Sequence, residues 1–241
     1  MPYPYPVLFQ IGPFSVFTFG IFMIIAFLLA LWVALKRKGE IEEDHIYNVS
    51  IISIIAGIIG ARIAFIIFNP QYFQTFYDFI AIWQGGMSFF GGFFLALIAI
   101  YFYTKKKKLS YTEILDIFAP GFALGIAITR IGGFISGANP GLPTELPWAV
   151  FGAHPAALYH AFANFLIFFI LIWAGKSKFK EKFAPSYLFI TFLLFYGIER
   201  FINDFFRLYD STATIIAARA VPILLILFSL ILLKKLRKKN S

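Results

Sequence analysis

Four arginines lie inside otherwise apolar stretches of this 241-residue chain: Arg62, Arg130, Arg200 and Arg219. A guanidinium stays charged at any ordinary pH, and its planar fork of N–H donors matches two oxygens of a phosphate. A charge inside an apolar segment is costly, turns toward the protein interior and marks a functional site by default. A single such side chain can instead snorkel to nearby headgroups. Four together favour a cavity that binds an anionic phospholipid headgroup. Asp204 follows Arg200 by one helical turn, so the two can pair on one helix face. His160 and His154 supply imidazoles, which can take up a proton from a reacting group. Capping and packing are the plain alternatives for those histidines, and neutralising Arg200 is the plain alternative for Asp204. Glu199 is a further acid nearby.

Glycines surround these positions: Gly85, Gly86, Gly91 and Gly92 near Met87-Ser88, and Gly132, Gly133 and Gly137 after Arg130. Such glycines either open a helix end, letting backbone N–H groups meet a phosphate, or let neighbouring helices pack. The chain has no cysteine, which excludes disulfides, thiolate metal sites and a thiol nucleophile. Three histidines without an H-E-x-x-H or P-loop pattern argue against a metal hydrolase or nucleotide enzyme. No metal and no cofactor is expected.

The elements that carry these residues must lie in a membrane. Sixty per cent of the residues are hydrophobic, a fifth aromatic and only 14% charged, more apolar surface than a soluble domain of this length can bury. An apolar helix of roughly 20 residues crosses the hydrocarbon core. About seven such spans are expected, over 14–35, 48–68, 88–103, 114–134, 156–174, 185–206 and 214–233. The fold class is therefore all-α, a single polytopic membrane domain over residues 1–241. Residues 1–13 hold no Lys or Arg, so the first apolar stretch reads as a retained helix rather than a cleaved signal.

The net charge of +9 sits in short runs between apolar stretches, as juxtamembrane charge does, and does not point to nucleic acid. Lys36, Arg37, Lys38, Lys105 to Lys108, four lysines between 176 and 182, and the basic tail make sixteen cations on alternate loops; the remaining loops hold one, Arg207. That asymmetry places the N-terminus outside and the C-terminus in the cytoplasm. All four intramembrane arginines then fall in the outer half of their helices, with Arg130 and Arg200 about 6–9 Å below the outer end. Gly57 with Ala61, and Gly121 with Gly125, have the small-xxx-small spacing of close helix contacts.

Seven stretches occur in a telling order: IGPFSVFTFG (11–20), GARIAFIIFN (60–69), IWQGGMSFFGG (82–92), TRIGGFISGANPG (129–141), LPWAVF (146–151), HPAALY (154–159) and YGIERFINDFFR (196–207). In this the chain resembles the bacterial prolipoprotein diacylglyceryl transferases. That family moves a diacylglyceryl group from phosphatidylglycerol to the lipobox cysteine of a preprolipoprotein, at the outer face of the cytoplasmic membrane, and releases glycerol phosphate. The resemblance implies the same anionic lipid and signal peptide as partners, a cytoplasmic (inner) membrane location and a monomer. It makes Arg130 and Arg200 the matching family arginines, with Arg62 another, and aligns Gly141 with the glycine that closes the family signature. Arg219 joins the expected phosphate-binding set by its position alone.

Several family polar residues are replaced. Gly133 and Ser136 stand at two asparagines, Ala138 at a glutamate, Phe90 at a histidine and Phe19 at a tyrosine. Ala153, Ala157 and His160 replace the arginine, glutamine and glutamate of R-H-P-x-Q-L-Y-E, and Thr129 replaces the glycine before the arginine. The surviving candidates for catalysis are His160, His154 and Asp204. A transferase with a different acceptor and a non-catalytic phospholipid binder are the alternative readings.

Overall fold

The computed structural model describes residues 4–12, 14–81, 85–138, 140–176, 186–209 and 212–239. Among them are helices α1 (Thr18–Arg37), α2 (Glu43–Phe68), α3 (Phe76–Ile80), α4 (Phe89–Lys107), α5 (Tyr111–Ile135), α6 (Ala156–Lys176), α7 (Tyr187–Asn203) and α8 (Thr212–Lys239). Four of these, α1, α2, α5 and α6, are long and apolar enough to cross a membrane. The protein is thus a mostly helical membrane protein. Leu28, Ile67 and Leu224 are each more than 60% exposed, an arrangement that water penalises and lipid does not.

The first expected span begins four residues late. Phe14–Phe17 is a strand (β2) paired antiparallel with Val7–Ile11 (β1), so the helix starts only at Thr18. Thr18 is fully buried; its hydroxyl donates to the Tyr5 carbonyl and its N–H to that of Pro6, which fixes the hairpin at the head of α1. The expected sixth span is also shorter in helix: α7 stops at Asn203, and Asp204–Phe206 form a 3-10 turn. Residue 185, where that span was expected to start, lies outside the described residues. Pro120 sits inside α5 without ending it, since neighbouring groups in a bundle can absorb the lost hydrogen bond.

The chain divides into two compact units, Lys38–Ile114 and the remainder, Met1–Arg37 with Leu115–Ser241. In the smaller unit α2 lies against α4. A Cβ on Gly60 would stand 2.4 Å from the Gly91 carbonyl oxygen and one on Gly92 2.7 Å from that of Gly57, so these backbones nearly touch. In the larger unit α7 packs against α6 and α8. There Gly121 meets the backbone of Ala30 and Gly132 the Phe22 ring. Glycines 91, 92 and 132 are therefore packing residues within helices, and α5 stays helical through Ile135 rather than opening after Arg130. Asp116 on α5 accepts the N–H of Ser186 at 2.9 Å and of Phe189 at 2.8 Å, capping the first turn of α7 from another helix.

Candidate active site

The polar residues of the larger unit collect at one end of three helices. Arg130 lies near the C-terminal end of α5, His160 in the first turns of α6 and Arg200 in the last turn of α7. Arg130, Arg200 and Arg207 line one narrow cleft with His160, Asn203 and the first two residues of α6, Ala156 and Ala157. The Ala156 N–H donates to the His154 carbonyl and those of Leu158 and Tyr159 to that of Pro155, while the helix dipole at this end favours an anion. Asn203 spans the gap from α7, donating to the Ala156 carbonyl at 3.0 Å.

Asp204, fully buried, pairs with Arg200 at 3.4 Å, as the one-turn spacing predicts, and also accepts the Tyr209 hydroxyl. Glu199 is hydrogen bonded to His160 Nδ1. Arg207 lies over the Tyr209 ring at 5.1 Å. Burial lowers the Arg207 pKa from its ordinary value, and the neighbouring Arg200 adds to that shift. Burial and the bond to Asp204 raise that of Tyr209, which stays a neutral donor. Arg200 NH1 and His160 Nε2 are buried and make no hydrogen bond among the described residues. Three guanidiniums lining one cleft, with Arg200 NH1 lacking a hydrogen-bond partner among the described residues, form a site complementary to an anion.

Beside the cleft is an apolar cavity of about 640 Å³ between α6, α7 and the loop before α6. Ile167, Phe195, Ile198 and Ile202 line it, with Trp148, His154, Tyr159 and Phe206 around the loop side. Asn203 borders both spaces and Glu199 borders the cavity. His154 belongs to this cavity rather than to the cleft: its Nδ1 is 3.3 Å from the Tyr159 hydroxyl, which also accepts the Trp148 indole N–H at 2.8 Å.

Gly141 has a different part from the phosphate contact expected of it. It is buried, bridges to the backbone of Arg207, and a Cβ there would stand 2.0 Å from the His154 carbonyl oxygen. Leu142 N–H donates to the Phe206 carbonyl and Leu208 N–H to that of Pro140. Gly141 therefore lets the loop lie flat against the segment that presents Arg207. Arg219 lies over the Phe205 ring at 4.3 Å and is not among the residues lining the cleft.

Arg62 belongs to the smaller unit, where its donors are spoken for. The guanidinium gives hydrogen bonds to the carbonyls of Asp78, Phe79, Ala81, Gly85 and Gly86 and lies over the Phe73 ring. Five N–H donors meet five acceptors, leaving none for a phosphate oxygen. Its work in this structure is to hold the end of α3 together with Gly85 and Gly86.

Sequence reasoning counted Arg207 only as an exception to the loop-charge rule, and passed over Asn203, Asn164 and Tyr209. That exception was the signal: a lone cation in loops otherwise without Lys or Arg needs a reason. Two of the replaced family positions meet, since the Phe19 ring lies 4.0 Å from where a Gly133 Cβ would be.

Known proteins resemble this chain along most of its length. The prolipoprotein diacylglyceryl transferase family model matches residues 6–234. Proteins named phosphatidylglycerol–prolipoprotein diacylglyceryl transferase are similar along most of the chain. That of Finegoldia magna is 33% identical over 97% of this chain and 96% of its own. That of Dechloromonas aromatica is 33% identical over 84% and 82%, and that of Janthinobacterium sp. 31% over 96% and 95%. With the match running through every segment that builds the cleft, the chain belongs to the prolipoprotein diacylglyceryl transferase family.

Proposed function

We propose that this protein transfers a diacylglyceryl group from phosphatidylglycerol to the cysteine thiol of a prolipoprotein lipobox. The observation that carries the reading is the convergence of Arg130, Arg200 and Arg207 on the start of α6, beside an apolar cavity. An anionic phosphate with acyl chains attached needs both surfaces in that order. In the transfer, the departing phosphate gains charge, and guanidiniums already in place stabilise it without reorganising. Gly141 serves by presenting Arg207, Arg62 by holding the end of α3, and Asp204 by fixing Arg200. Arg219 and His154 border the lipid or peptide rather than the phosphate.

The chain acts as one integral membrane domain and a monomer, with seven spans, the N-terminus outside and the C-terminus in the cytoplasm of a bacterial cell. The cleft then opens at the outer face of the cytoplasmic membrane, where the lipobox emerges. A changed acceptor is the second reading, favoured by the apolar pair Phe19 and Gly133 at positions where the family is polar.

The experiment uses purified protein in vesicles whose phosphatidylglycerol carries a labelled headgroup. Addition of a lipobox peptide should release labelled glycerol phosphate, and Arg130→Ala or Arg200→Ala should cut the release about 100-fold or more. Release that is indifferent to both substitutions would mean that the arginines only snorkel.

A further inference from the structure

His160, which lines the cleft, belongs to a polar trio that apolar helices had no need to bury. His160 and Asn164 on α6 and Glu199 on α7 are 1%, 0% and 9% exposed. His160 Nδ1 is bonded to Glu199 Oε1. The Asn164 amide donates to Glu199 Oε2 at 3.3 Å and to the His160 carbonyl at 2.9 Å. Both carboxylate oxygens are thus engaged, and the amide that engages one is anchored on the histidine's own helix. Two polar atoms of the trio are left over, Asn164 Oδ1 and His160 Nε2, each buried and without a hydrogen-bond partner among the described residues; only the second belongs to a residue that lines the cleft.

A carboxylate at one ring nitrogen sets the tautomer. Nδ1 carries the proton and donates it, and the lone pair is left on Nε2. His160 lines the cleft with Arg130 and Arg200, so its ring stands beside the proposed phosphate site.

We propose that His160 is the base that takes the proton of the incoming acceptor, and that Glu199 and Asn164 are positioning residues for it. The proposal rests on the transferase reading above. The acceptor thiol gives its proton to Nε2, and the sulfur electron pair forms the S–C bond at the lipid's glycerol carbon. The bond from that carbon to the phosphate oxygen breaks, its electron pair staying on the oxygen. The imidazolium then returns the proton to the released phosphate monoester, so protons and electrons balance without a co-reactant.

The groups facing this imidazole are Glu199 and Arg200 from α7, Arg130 from α5 and Arg207 from the segment after α7. The Tyr196 ring on α7 lies 5.9 Å away. The test is the pH dependence of transfer by the full chain in phosphatidylglycerol vesicles with a lipobox peptide. The rate should level off once the imidazole is neutral, below the thiol's own pKa of about 8.5. Glu199→Gln, which keeps the shape, should lower the neutral-pH rate about 10- to 100-fold, keep lipid binding, and make the rate climb to the thiol's pKa. Glu199→Asp should restore part of the plateau. A merely structural Glu199 would lower thermal stability and leave the profile where it was, which overturns the proposal. Should Glu199→Gln not fold, the unmodified protein decides: a rate rising to the thiol's own pKa overturns the dyad. Unmodified protein that transfers nothing contradicts the transferase reading itself.

Discussion

Asp204 stands 3.4 Å from Arg200, one turn back along the same chain, and holds it with a side chain that has no exposed surface. The same carboxylate oxygen accepts the Tyr209 hydroxyl. The direction of the Arg200 fork is therefore set from beyond the end of α7, by residues that need not touch the lipid.

That arrangement separates two substitutions. Arg200→Lys keeps the charge but loses the planar fork, and should lower kcat/KM for transfer about 100-fold. Asp204→Asn can still accept from Tyr209 but loses the ion pair, and should cost about tenfold. Steady-state kinetics with the lipobox peptide measure both. An Asp204→Asn protein more impaired than Arg200→Lys would contradict the assignment of Asp204 as a holder.

Gly141 and Arg207 should behave as one unit. Gly141→Ala places a methyl group where the His154 carbonyl oxygen now lies and must push the loop off the Arg207 segment. Its loss of phosphatidylglycerol binding should resemble that of Arg207→Ala, and the double variant should be scarcely worse than either. Additive losses in a double-mutant cycle would mean that Gly141 acts elsewhere.

Asp78 gives the smaller unit a pH signature. Its carboxylate accepts the Thr75 N–H at 2.7 Å, the Thr75 hydroxyl at 2.8 Å and the Gln74 N–H at 3.1 Å. The Thr75 backbone bond first, then its hydroxyl, lowers the Asp78 pKa from the ordinary carboxylate value. A depressed folded pKa means that the contribution is present above the unfolded value, about 3.9, and is lost as pH falls through the folded one. Exchange of the Thr75 and Gln74 amides should therefore quicken below pH about 4, and Asp78→Asn should remove that step. An unchanged step in Asp78→Asn would assign it to another group.

The absence of cysteine makes the orientation directly measurable. Single cysteines introduced as Lys106→Cys and Glu145→Cys should differ in intact cells. A membrane-impermeant thiol reagent should label position 145 and spare 106. The reverse pattern would invert the topology and put the arginine cleft on the cytoplasmic side.

The helices were legible because lipid demands long apolar segments, and each long helix overlaps an expected span. Boundaries were less so. Phe14–Phe17 is as apolar as the helix that follows, and only pairing with Val7–Ile11 makes it a strand. Arg130, Arg200 and His160 were visible as polar residues where none is affordable. The pairing of Arg200 with Asp204 followed from helical spacing, because the 3-10 turn that begins at Asp204 continues directly from α7. His160 and Glu199 are 39 residues apart on different helices, and nothing local reveals their bond. Arg62 shows the opposite limit: its sequence context matches a phosphate ligand, yet the carbonyls of Asp78, Phe79, Ala81, Gly85 and Gly86 occupy it.

The central claim is transfer to cysteine, and the mass of the acceptor tests it most directly. Purified protein in phosphatidylglycerol vesicles would be given a lipobox peptide and, in parallel, its cysteine-to-serine form. The account predicts a gain of one diacylglyceryl group on the cysteine peptide alone, lost in Arg130→Ala. An unmodified cysteine peptide, with phosphatidylglycerol still bound to the protein, would contradict it and leave a phospholipid binder or a transferase with another acceptor.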